Sequence, residues 1–115
     1  MKRDRILIIG ASGQIGSVLT NALAVLYGEE NIIATDIRKP HDQVGHFEFL
    51  DIQNVDDLES IAKKYKITQI YHLAAILSAK GETMPMFAWQ FNMGSFFNVV
   101  KVAKDLGIHK IFFPS

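Results

Sequence analysis

The chain has 115 residues and no cysteine, so neither a disulfide framework nor a thiolate metal site is available to it. Twelve basic residues balance twelve acidic ones, and this neutrality removes the surplus that would mark a nucleic-acid or acidic-membrane partner. A chain that is 49% hydrophobic can bury one modest core, but its apolar runs are too short for a membrane span or a signal peptide, so a soluble cytoplasmic domain is expected.

The first strand is predicted over residues 5–9, where Ile6-Leu7-Ile8-Ile9 runs into Gly10-Ala11-Ser12-Gly13-Gln14-Ile15-Gly16. Gly10 allows a sharp turn off the strand, Gly13 has no side chain to hold a ligand away from the backbone, and Gly16 lets the next helix lie close. That helix is predicted over 13–26, with Ile15, Val18, Leu19, Ala22, Leu23 and Leu26 as an apolar stripe and Tyr27-Gly28 as its stop. No acid stands between Gly13 and Leu19, which leaves the positive helix end for an external anion. The strand-glycine-helix order is how a parallel sheet presents a pyrophosphate to a helix N-terminus. No Lys follows Gly16, which excludes a P-loop.

The second strand, 31–35, ends on Asp36. A carboxylate there binds the adenosine ribose hydroxyls and repels a 2′-phosphate, so NAD is expected over NADP. Arg38 and Lys39 follow and act against that preference. An Asp at a strand end also serves as a turn former, but its place after the second strand favours the binding role.

A loop with Pro40 and Gly45 leads to a short strand at 46–50. The next helix starts near Asn54, an N-cap type, and carries Val55, Leu58, Ile61, Ala62 and Tyr65 on one face. A fourth strand at 69–73 and a loop through Gly81 precede a long helix at 85–106, with Pro85 in its first turn and Gly107 after its end. The fifth strand is 109–113. This alternation predicts an α/β Rossmann-like doubly wound parallel sheet of order 3-2-1-4-5 with right-handed crossovers. The long helix is apolar nearly all round, which calls for burial on more than one side. The histidines at 41, 46, 72 and 109 are scattered, so no metal site is expected. The final strand pattern stops without a following helix, so residues 1–115 are expected to be one NAD-binding domain, the N-terminal part of a longer protein truncated after strand five.

Five local patterns coincide: the glycine run, Asp36, Asp51-Ile52, His72-Leu73-Ala74-Ala75, and Asn92 in the long helix. Together they resemble the extended short-chain dehydrogenase/reductase superfamily, which includes nucleotide-sugar epimerases and dehydratases. The segments Gly13-Gln14-Ile15-Gly16, Tyr71 to Glu82 and Ala88-Trp89-Gln90-Phe91-Asn92-Met93 look like the short-chain type of L-threonine 3-dehydrogenase, Leu77-Ser78-Ala79 followed by Gly81-Glu82 being the most discriminating part. The resemblance implies that Gly10, Gly13, Gln14, Ile15 and Gly16 hold the pyrophosphate of NAD, and that Asp36 and Ile37 hold the adenosine ribose. It implies Asp51 and Ile52 beside the adenine and Leu73, Ala74 and Ala75 along the cofactor. Asn92 would support the site, and Ser78 would lie near the nicotinamide and an amino-acid substrate. Ser78 as a plain loop hydroxyl, and Asn92 as a polar break in a helix, are the competing readings. Relatives of this type commonly dimerise through long helices, which implies a homodimer through 85–106.

Catalysis in the superfamily uses a Tyr-x-x-x-Lys pair, and Tyr27, Tyr65 and Tyr71 are followed four places on by Asn31, Gln69 and Ala75. No catalytic residue is therefore assigned within these 115 residues. The implied activity of the intact protein is oxidation of the L-threonine β-hydroxyl with hydride transfer to NAD. A nucleotide-sugar epimerase or dehydratase, or a non-enzymatic NAD(H) sensor, would share the same cofactor residues.

Overall fold

The structure, a computed structural model, describes residues 4–40, 45–74 and 84–113. Five strands form one parallel sheet: β1 (Ile6–Ile9), β2 (Ile32–Asp36), β3 (His46–Phe49), β4 (Gln69–His72) and β5 (Lys110–Phe112). Their order is β3-β2-β1-β4-β5, as the alternation predicts. Among the described residues three α-helices accompany them: α1 (Gln14–Tyr27), α2 (Val55–Lys64) and α3 (Pro85–Leu106). The predicted boundaries hold to within two residues, except that a short 3-10 turn, Glu29–Asn31, precedes β2.

β1 lies at the centre and is buried along its whole length. Leu7 and Ile9 join a cluster with Leu58 and Ile61 of α2 and Val99, Val102 and Ala103 of α3. Ile6 and Ile8 face the other way, against Leu23 and Ala24 of α1. The apolar run is continuous because both faces of a parallel sheet are covered.

The phase of α1 differs from expectation. Gly16, Thr20, Leu23 and Ala24 are its buried residues, while Ile15, Val18 and Leu26 are 65%, 70% and 75% exposed. Gly16 sets this phase, because its backbone lies against Gly10 and Ala11, and positions four, seven and eight further on must then face the sheet. Thr20 tolerates burial because its hydroxyl donates to the Gly16 carbonyl at 2.6 Å.

α3 has Ala88, Ser95, Val99, Val102 and Ala103 buried, whereas Met86, Phe87, Trp89, Phe97 and Val100 are exposed. One side of this helix meets the sheet, and the second apolar side anticipated from the sequence lies open. Among the described residues no helix is long and apolar enough to cross a membrane, and no cluster of side chains could hold a metal ion.

Candidate functional site

The C-terminal ends of β1, β2, β3 and β4 converge, and the loops leaving them build one cleft of about 240 Å³. Its lining includes the predicted residues Gly10, Asp36, Ile37, Asp51, Ile52 and Ala74. Binding at the carboxyl ends of strands, where the crossover reverses direction, is general for open α/β sheets.

Gly10 turns the chain at φ +90°, a conformation that disfavours any side chain. A Cβ on it would also stand 2.8 Å from the Ala74 nitrogen and 2.9 Å from the Leu73 carbonyl carbon. The Leu73 N–H donates to the Ile9 carbonyl at 2.7 Å, so the ends of β1 and β4 are drawn together and Leu73 packs partly buried beside β1.

Gly13 is the N-cap of α1 and provides no side-chain cap, and the first turn contains no acid. The first intrahelical bond runs from the Ser17 N–H to the Gly13 carbonyl at 2.9 Å, which leaves the earlier amides, those of Gln14 and Ile15 among them, outside the helical ladder. The contrast with α2 is direct. There Asn54 accepts from the Asp57 N–H at 3.1 Å and donates back to the Asp57 carboxylate, with Asp56 beside it. The positive end of α2 is satisfied by its own chain, whereas that of α1 has neither a side-chain cap nor an acid in its first turn.

Asp36 ends β2 with both carboxylate oxygens held. Its Oδ2 accepts from the Ser12 N–H at 2.9 Å and its Oδ1 from the Ile37 N–H at 2.7 Å. Each oxygen keeps further acceptor capacity, so the group can receive hydrogen bonds from a diol. Asp51 accepts from the Gln53 N–H on Oδ1 at 3.0 Å. The Leu50 N–H donates to the Asp36 carbonyl at 3.0 Å, which couples the two acids through adjacent strand ends.

His72 at the end of β4 is buried, edge-on to Phe113 with ring centroids 5.4 Å apart. Burial pushes its imidazole down to about 4, so at neutral pH it adds no charge beside the cleft.

Gly13 caps α1, and Gln14, Ile15 and Gly16 lie in its first turn; none of the four is in the cleft lining, Gly13 standing next in chain to the Ser12–Asp36 bond. Asn92 is half-buried on α3, next to the cleft-lining Phe91, and is not itself part of that lining. Ala75 and Ser78 lie outside the described residues. Sequence reasoning missed Ile9, Leu50, Gln53, Phe87 and Phe91 in the cleft, and Ser12 beside it. Phe87 and Phe91 are one turn apart with ring centroids separated by 6.4 Å, a spacing that the sequence displays but does not distinguish from ordinary core.

The model of the NAD dependent epimerase/dehydratase family matches residues 6–115. Among solved structures, a partial-consensus L-threonine 3-dehydrogenase is 48% identical with a TM-score of 0.91, covering 96% of this chain and 36% of that one. L-threonine dehydrogenase from Clostridium difficile is 43% identical with a TM-score of 0.91, covering 100% of this chain and 37% of that one. An uncharacterized epimerase/dehydratase of Staphylococcus haemolyticus (strain JCSC1435) is 40% identical over 116 residues, 97% of this chain and 36% of that protein. The chain thus spans little more than a third of the length of these relatives.

Proposed function

The chain belongs to the NAD dependent epimerase/dehydratase family, and from that premise we propose that it forms the cofactor-binding part of a dehydrogenase that oxidises L-threonine at its β-hydroxyl. The observation that carries the binding role is Asp36, oriented by two backbone amides and placed in one cleft with Asp51, beside a helix that lacks an acid of its own. The glycine cradle fits a pyrophosphate. A Cβ at Gly13 would meet only the Gly10 carbonyl at 3.6 Å, so the side left open by its hydrogen is free for an approaching ligand.

In this reading Gly10, Gly13, Gln14, Ile15 and Gly16 hold the pyrophosphate. Asp36 and Ile37 hold the ribose, and Asp51 and Ile52 flank the adenine. Leu73 and Ala74 keep the path along β4 narrow. NAD supplies the hydride acceptor. These residues bind and orient it but provide no general acid or base for the substrate hydroxyl, since no Tyr-x-x-x-Lys pair is present. Binding energy without groups that favour the transition state does not accelerate chemistry. These 115 residues are therefore expected to bind NAD without turnover, and a cytoplasmic location suits that cofactor.

The substrate proposal rests on likeness to L-threonine dehydrogenases at 43% and 48% identity. Its test is a chimera in which this chain replaces the matching third of the Clostridium difficile enzyme. NADH formation with L-threonine is expected from the chimera and not from the chain alone. A folded chimera that binds NAD but forms no NADH with L-threonine would contradict the proposal that this chain serves a threonine dehydrogenase. Turnover by the chain alone would mean that catalytic residues lie within it.

The open side of α3, with Trp89, Phe97 and Val100, supports homodimerisation through this helix. Sedimentation at high concentration is expected to show self-association, and a clean monomer would contradict it.

A further inference from the structure

We propose that Ser12 selects the unphosphorylated ribose of NAD, as a positioning residue that acts through Asp36; the inference rests on the cofactor reading above. Four hydrogen bonds strap the glycine loop to the end of β2. The Gly10 and Ala11 amides both donate to the Thr35 carbonyl, at 2.9 and 3.0 Å. The Ser12 amide donates to Asp36 Oδ2 at 2.9 Å. The Ser12 hydroxyl then donates to the Arg38 carbonyl at 2.6 Å. This last strap is made by a side chain, and it reaches past the acid to the two cations that follow it.

The geometry decides which ribose fits. A carboxylate offers about two acceptor positions on each oxygen. The Ser12 and Ile37 amides take one on each, so each oxygen keeps one for a ribose hydroxyl. A 2′-phosphate removes one of the two donating hydroxyls and brings an anion against the carboxylate. To admit it, the acid must turn away and a cation must come over it. Arg38 and Lys39 are the nearest cations in the chain, and both are exposed. By holding the Arg38 carbonyl, the Ser12 hydroxyl stops residues 37–39 from shifting across the acid and keeps the Ile37 amide on Oδ1. NAD is favoured because the strap preserves the carboxylate as a diol acceptor and keeps the neighbouring cations off it.

Calorimetric titration of NAD and NADP into the chain and its variants tests this. Ser12→Ala is expected to raise the Kd for NAD about fivefold, the scale of one exposed hydrogen bond, and to shrink the preference for NAD over NADP by about the same factor. Ser12→Thr, which keeps the hydroxyl, is expected to retain the preference. Added to Asp36→Ala, Ser12→Ala is expected to change the preference no further, because the effect passes through the acid. An unchanged preference in Ser12→Ala, whatever its melting temperature or overall affinity, would overturn the proposal. If the unmodified chain binds neither dinucleotide, the cofactor reading itself falls, a result distinct from an unaltered preference.

Discussion

Gly16→Ala is expected to destabilise the domain by about 3 kcal/mol and to abolish dinucleotide binding with it. The added Cβ would stand 2.2 Å from the Gly10 carbonyl oxygen, 2.9 Å from the Ala11 Cα and 3.0 Å from the Ala11 carbonyl carbon. All three are backbone atoms, so no side chain can rotate aside. Relief requires α1 to lift from β1, and that would open the contacts of Leu23 and Ala24 with Ile6 and Ile8. Gly13→Ala is the control. Its Cβ meets only an ordinary contact at 3.6 Å, and its φ of −75° suits alanine. That variant is expected to melt with the unmodified protein while losing about tenfold in NAD affinity, the scale of one disturbed charge-assisted hydrogen bond. Thermal melts of both variants check the pair. Equal melting temperatures would show that the close helix-strand approach at Gly16 does not govern the fold.

Asp36→Ala is expected to weaken NAD binding by about 10- to 100-fold, because hydrogen bonds to a charged acceptor contribute more than neutral ones. NADP binding is expected to change far less, since the loss of acceptor is offset by the loss of repulsion. The Ser12 and Ile37 amides would also be released, so the effect includes some disorder in the loop. Asp36→Asn separates the two contributions, because it keeps the shape and one carbonyl acceptor while removing the charge. Equal losses for NAD and NADP in both variants would make Asp36 a turn residue rather than a ribose ligand.

Much of this was readable in the sequence because local signals agreed. Ile6 to Ile9 is apolar at every position, as a central strand covered on both faces requires, and the alternation of elements then restricted the strand order. Asp36 and Asp51 stood out because each follows a strand directly. The phase of α1 was misread, although the close approach expected at Gly16 carries it. Hydrophobicity ranks Ile15 and Val18 above Gly16 and Thr20, yet the backbone approach at Gly16 overrides that ranking, and Thr20 satisfies its hydroxyl within the helix. Ser12 was hidden as a spacer between glycines, since its partners are 24 and 26 residues away. Phe87 and Phe91 merged into an apolar surplus on α3, and only the packing of that helix distinguishes cleft from core.

The most direct test of the account is calorimetric titration of the unmodified 115-residue chain with NAD, followed by NADP. Saturable binding of one NAD per chain, tighter than that of NADP, is the predicted result. No saturable NAD binding by a folded chain, or tighter binding of NADP, would contradict it.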